Sequence, residues 1–192
     1  GKVIWESRVH SDWATGVIFS KEDQFVVTTS RDQTVKVQDA GTGDLFTTYN
    51  GHRKQFGEYT GRFAVYAIEQ DPASGQLITV GEGKAARVWK PEKAREENGT
   101  AADMEGRFYK KGHTRFIAHQ MSESVLALAV ADGRVFMAGV NGLVQIYQFS
   151  DFTHLRDLSG NRDWIFTISV SAPKKYLATD SFDGLVRVWN YE

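Results

Sequence analysis

Four stretches of the chain share one pattern: a small residue, an acidic or amide residue at a turn, then apolar positions alternating with polar ones. They read Ser30-Arg31-Asp32-Gln33-Thr34-Val35-Lys36-Val37-Gln38-Asp39, Gly81-Glu82-Gly83-Lys84-Ala85-Ala86-Arg87-Val88-Trp89-Lys90, Gly139-Val140-Asn141-Gly142-Leu143-Val144-Gln145-Ile146-Tyr147 and Ser181-Phe182-Asp183-Gly184-Leu185-Val186-Arg187-Val188-Trp189-Asn190. Val37, Val88, Ile146 and Val188 hold equivalent positions, at intervals of 51, 58 and 42 residues. Alternation with a period of two predicts a half-buried strand, because successive side chains of a strand point to opposite faces.

Two further apolar runs precede each copy. Phe25-Val26-Val27-Thr28, Leu77-Ile78-Thr79-Val80, Val135-Phe136-Met137-Ala138 and Tyr176-Leu177-Ala178-Thr179 come directly before it, and runs beginning near residues 16, 63, 125 and 164 come earlier. Asn141-Gly142 and Asp183-Gly184, set between paired runs, are strong hairpin signals. Outer runs follow at 45–49, 116–118 and 152–158. Repeats one to three thus supply four strands each and the fourth supplies three. Residues 2–9 precede the first repeat, where a sixteenth strand belongs that completes the last sheet, in the same chain or in a partner chain. The expected divisions are 10–50, 51–118, 119–159 and 160–192 plus the strand 2–9, all within one domain of residues 1–192. Helical spacing is weak except over 91–104, a charged stretch read as an exposed, partly helical insertion.

Composition narrows the chemistry. The chain has 192 residues, enough for one domain with a sizeable core. Lys plus Arg number 23 and Asp plus Glu 24, a balance that offers no electrostatic argument for nucleic acid or an acidic membrane surface. With no cysteine, disulfides, thiolate metal sites and a cysteine nucleophile are excluded, although the compartment stays open. No apolar run is long enough to span a membrane as a helix. The opening Gly1-Lys2-Val3 lacks an initiator Met and a signal-peptide pattern, which suggests a processed chain or an excised fragment.

No catalytic set emerges, so no catalytic residue, metal or cofactor is expected. His113 and His119 are six apart, but a zinc site needs three or four converging ligands. Gly81-Glu82-Gly83-Lys84 lacks the first glycine and the Ser or Thr of a phosphate loop and reads as a strand-to-strand turn. No Gly-x-Ser-x-Gly elbow is present. Glu96 and Glu97 belong to the charged insertion, and Asn98-Gly99-Thr100 matches the glycosylation pattern only in the manner of a chance occurrence.

The motifs together resemble WD40 repeats. Gly51-His52 lies between an outer strand and the next repeat, His10-Ser11-Asp12-Trp13 stands before a first strand, and Arg-Val-Trp-Lys and Arg-Val-Trp-Asn stand where the family places its Trp-Asp ending. The resemblance covers nearly the whole chain and implies an all-β propeller of four four-stranded blades. It also implies that His10 with Asp32, His52 with Trp89, and Asp183 with Trp189 brace the sheets. Gln38 and Tyr147 replace Trp, Asn161 replaces His, and Glu82 and Asn141 replace Asp, so the bracing set is incomplete in every blade, with packing expected to carry most of the stability. A narrower similarity, over 52–112, is to WD40 segments of large bacterial proteins that carry c-type haem domains. No Cys-x-x-Cys-His motif accompanies it, so no haem is implied.

In the family, residues just before the first strand and just before the turn Asp line the narrow end, where partners dock. By the match, Trp13, Arg31, Val140, Arg162, Trp164 and Phe182 share that surface, and Trp and Arg are the side chains most enriched at binding hot spots. The loops 53–62 and 92–112 are a second candidate surface. The resulting reading is a non-catalytic scaffold that binds a protein or peptide. The alternatives are an enzyme with a site in the central channel, or a module that only ties flanking domains together. WD40 blades suit rings of about seven or eight. Two chains assembling head-to-tail into an eight-bladed homodimer is therefore the expected ring. A self-closed ring of four, and a fragment whose missing blades lie on another polypeptide, stay open.

Overall fold

A computed structural model of the chain describes residues 1–20, 22–52, 63–83, 85–98, 115–118 and 124–192. Four antiparallel sheets follow one another along the sequence. The first holds β1 (Ala14–Ser20), β2 (Phe25–Ser30), β3 (Val35–Asp39) and β4 (Leu45–Tyr49). The second holds β5 (Val65–Gln70), β6 (Leu77–Gly81), β7 (Ala85–Trp89) and β8 (Arg115–Ala118), with the helix α1 (Pro91–Asn98) between the last two. The third holds β9 (Val125–Ala131), β10 (Arg134–Gly139), β11 (Val144–Gln148) and β12 (His154–Leu158). The fourth holds β13 (Ile165–Ser171), β14 (Tyr176–Ser181) and β15 (Val186–Asn190). The helix falls at the start of the stretch expected to be partly helical. The expected loop 53–62, most of 92–112, and His113 and His119 lie outside the described residues.

Strict meander order in every sheet follows from the tight turns. Between the second and third strands, Gln33, Gly142 and Gly184 occupy one station with φ of 73°, 70° and 79°, and each donates its amide three residues back, to Ser30, Gly139 and Ser181. Glycine takes this left-handed conformation without steric cost, which is why Asn-Gly and Asp-Gly marked the hairpins. Each innermost strand carries a bulge at one station: Thr15, Tyr66, Leu126 and Phe166 are the extra residues. A bulge bends its strand and re-aims a side chain.

The sheets pack face to face in sequence order. Val27, Val35 and Val37 of blade one meet Val65, Leu77 and Trp89 of blade two. Ile78, Val80 and Val88 meet Leu128, Met137 and Tyr147 of blade three. Phe136, Val144 and Ile146 meet Ile165, Leu177 and Tyr191 of blade four. The innermost strands adjoin in the same order, β1 to β5 to β9 to β13.

One expectation is not met within the single chain. Residues 2–9 form no strand, and the last sheet keeps its open order β13-β14-β15. A strand needs a hydrogen-bonded neighbour, and residues 2–9 instead lie against the first blade, where Trp5 Nε1 donates to Ala40 O at 2.9 Å. Nor do the four blades close on themselves. On the face that each blade turns to its successor, Val35, Val37, Ala86, Val88 and Val144 are fully buried, whereas the equivalent Val186 and Val188 are 71% and 64% exposed. At the other end, Val17 and Phe19 are exposed where Ile68 and Leu128 are buried at Val17's station in the next two blades. The described blades thus form an arc with an apolar face at each end.

Candidate interaction face

Blades are tied at the station before the first strand. His10 Nε2 meets Thr28 Oγ1 at 2.8 Å and its Nδ1 meets Asp32 Oδ2 at 3.0 Å. Thr34 Oγ1 and the Ser11 amide donate to the same carboxylate at 2.6 and 3.0 Å. Burial disfavours the charged form, but these donors outweigh it and hold Asp32 down to about 2. In blade two, His52 Nε2 meets Thr79 Oγ1 at 2.9 Å and Trp89 Nε1 donates to the same oxygen at 3.3 Å. Full burial pushes His52 well below the usual histidine range, with the nearby Arg87 acting in the same direction. In blade four, Thr179 Oγ1 donates to Asn161 Oδ1 at 3.2 Å and accepts from Trp189 Nε1 at 3.3 Å.

These contacts bring His10 to Asp32 directly and His52 to Trp89 through Thr79. Asp183 does not touch Trp189. It binds Arg187 at 2.9 Å, and Arg187 reaches Asn161 at 3.2 Å, so the two are linked only through that chain. The Arg187 guanidinium, together with the Arg162 and Leu185 amides, holds Asp183 well below the usual carboxylate range. One reading of the sequence needs correcting: Glu82 does not stand at the Asp station. The Glu82 amide donates to Ala64 O as the Arg31 amide donates to Trp13 O, which puts Glu82 level with Arg31 and Gly83 level with Asp32. Both turns begin small–charged, so the letters alone allowed a shift by one.

The residues expected on the narrow end fall on one repeated station. Arg31 N donates to Trp13 O at 3.0 Å, Val140 N to Ser124 O at 3.1 Å, and Phe182 N to Trp164 O at 2.8 Å. Arg162 is exposed at the station of Ser11, and its amide donates to Asp183 as the Ser11 amide donates to Asp32. The first and last blades carry the same Asp-Trp pair: Asp12 accepts from the Trp13 amide at 2.7 Å and Asp163 from the Trp164 amide at 2.8 Å. Trp13 is 73% exposed with the Arg31 guanidinium 5.0 Å from its ring centre, and Phe182 is 71% exposed. Blades two and three bear Ala64 with Glu82 and Ser124 with Val140 at these stations, so the large groups belong to the two ends.

Phe166 was missed by sequence reasoning. Its ring centre lies 6.1 Å from Trp164 and 6.2 Å from Phe182, joining them in one exposed cluster. Simple alternation treats it as one more strand residue; the bulge that turns it outward is not visible in a single repeat, only in the aligned four. Among the described residues no group of three or more His, Asp and Glu side chains converges as a metal site, and no helix is long and apolar enough to cross a membrane.

Comparison with known proteins agrees with this geometry. The family model "WD domain, G-beta repeat" matches residues 1–39 and 152–190, the first and last repeats. No curated protein matches the chain in sequence. Among solved structures, the computationally designed Ika4 protein is 19% identical with a TM-score of 0.68, over 98% of each chain. The RRP9 WD40 repeats are 15% identical with a TM-score of 0.73, over 95% of this chain and 49% of that one. The designed Ika8 protein is 20% identical with a TM-score of 0.63, over 94% of this chain and 46% of that one. The chain therefore spans about half the length of RRP9 and Ika8 and the whole of Ika4. The family model matches two of the four repeats, and the four meander sheets have the fold of a WD40-type β-propeller.

Proposed function

We propose that the chain is a non-catalytic scaffold that binds a protein or peptide through the narrow end carrying Trp13, Arg31, Val140, Arg162, Trp164 and Phe182. One observation carries this reading: large aromatic side chains stay exposed on a rigid hydrogen-bonded frame at the same station of two blades. A ring held by the backbone loses little freedom on binding, so its apolar contact is converted efficiently into affinity. Arg31, stacked on Trp13 and without an acidic partner among the described residues, adds a donor for a backbone or carboxylate. The working form is a ring of eight blades made by two chains, a reading favoured by the apolar face at each end of the arc. Neither nucleic acid nor membrane enters this reading.

Panning a random peptide library on the purified chain tests the docking face. Enriched peptides are titrated against the parent and against the variant Trp13→Ala, Arg31→Ala, Phe182→Ala, whose fold is checked by circular dichroism. The proposal expects affinity to fall by roughly tenfold or more for loss of such anchors. Unchanged affinity for every peptide would remove this face from consideration.

A further inference from the structure

A groove of about 420 Å³ opens between blades one and two. It lies at the end opposite the Trp13–Phe182 face, because β2 runs from the turn after β1 to the turn that carries Arg31. Blade one lines it with Ser20, the last residue of β1, and with Glu22 of the turn that follows. Blade two lines it with Pro72, between β5 and β6, and with Lys90, Pro91 and Glu92. The groove has a local origin. In blades one and three the third strand turns straight back into the fourth, with Asp39 N donating to Asp44 O at 2.9 Å and Gln148 N to Thr153 O at 2.8 Å. In blade two α1 follows β7 and packs on β4 of blade one, which sets its first residues beside the β1–β2 turn.

Three features of this groove are unfavourable to the chain alone. Ser20 is 2% exposed and its Oγ has no hydrogen-bond partner, and an unpaired buried hydroxyl is destabilising. Glu22 and Asp23 are both left-handed, with φ of 54° and 64°, a conformation strained for any residue with a Cβ. The β9–β10 turn has the same left-handed pair with a glycine second, Asp132-Gly133 at 51° and 66°, so blade one keeps two side chains where glycine relieves the strain elsewhere. Backbone strain of this kind is held where a site needs it. Among the described lining residues, Glu22 and Glu92 outweigh Lys90, which leaves the groove net negative. Glu22 has no ion-pair partner among the described residues. We infer that the groove takes a basic side chain of a protein partner, arginine in preference to lysine. A planar guanidinium carries several donors and supplies them to the Ser20 hydroxyl and the Glu22 carboxylate together. Its aliphatic stem packs on Pro72 and Pro91. The site is separate from the narrow end, so either can fail without the other.

Amide resonances of the isotope-labelled chain read the groove directly. The peptide acetyl-Gly-Arg-Gly-amide should move the amides of the lining residues Ser20, Gly75 and Glu92 saturably, and acetyl-Gly-Glu-Gly-amide should leave them in place. Two variants separate binding from folding. Ser20→Ala removes the unpaired hydroxyl and Glu22→Gly removes the left-handed strain, so both should melt at or above the parent temperature. Both should also bind the arginine peptide roughly tenfold more weakly, the loss expected for a hydrogen bond to a charged group. Four results would overturn the proposal: no movement at these amides, equal movement with the glutamate peptide, movement with inorganic phosphate in place of the arginine peptide, or parent affinity in both variants.

Discussion

Gln38 Nε2 donates to Ser7 Oγ at 2.9 Å, at the cross-blade station where Tyr49 stacks on Trp89. A small polar pair does there what two aromatic rings do one blade later. The substitution is matched on both sides, which explains how blade one tolerates the loss of the tryptophan expected at position 38. It also ties the opening segment to the end of the arc rather than leaving it free.

Replacing Val188 by Asp tests what the exposed end is for. In the isolated arc the side chain faces solvent, so stability should change by about 0.5 kcal/mol or less. If the face is covered by a second copy, the same change should abolish association, because it buries an unpaired charge. The equivalent Val37→Asp, at a site with no exposure, should instead prevent folding. Thermal melts and sedimentation of the two variants separate these effects.

Asp32 should make stability fall in acid. Its folded value, about 2, lies below the ordinary 3.8, so the unfolded chain binds the proton first as pH drops. The stabilisation is complete above about 4 and is lost as pH falls toward 2, roughly 1–2 kcal/mol after allowance for solvent screening. Denaturant melts between pH 5 and 2 should show a shallower decline for Asp32→Asn, at lower overall stability.

His52 acts with the same sign in a different window. Burial keeps it neutral in the fold, while the unfolded chain protonates it near 6.5. Stability should therefore decline as pH falls below about 6.5, and His52→Gln should flatten that part of the profile. A parent and variant with identical profiles from pH 7.5 to 5 would contradict the assignment.

Thr79→Val should be costlier than Thr179→Val. The first strips a shared partner from the buried His52 and Trp89, about 1–3 kcal/mol for buried groups left unpaired. The second does so at the partly exposed Asn161 and Trp189, where water replaces the bond. Chemical denaturation gives both values.

Gly81→Ala and Gly139→Ala should destabilise by about 1–3 kcal/mol, since an added methyl would run into the carbonyls of Ala64 and Ser124. Blades one and four carry Ser30 and Ser181 at this station, and their hydroxyls bond Asp12 O and Asp163 O instead. Thermal melts of the two alanine variants check this; no loss at either site would mean the blades share one backbone spacing.

The repeat architecture was readable because turn and alternation recur four times: Asn141-Gly142 and Asp183-Gly184 fixed hairpins, and Val37, Val88, Ile146 and Val188 fixed equivalent strands. Three features were not readable. Residues 2–9 look like a strand, but strand formation depends on a neighbour the single chain does not bring to them. Glu82 sits one residue from its expected station because Gly83 can replace Asp without changing the local letters. Phe166 points outward because of a bulge, which alternation ignores. Of the face, Trp13, Arg31, Trp164 and Phe182 could be named beforehand from their place in the repeat, whereas the cluster joining the last two to Phe166 required the fold.

Small-angle X-ray scattering on the purified chain reads mass and shape together. The account predicts the mass of two chains and the profile of a closed disc with a hollow centre. A single-chain mass with the profile of a crescent would contradict it.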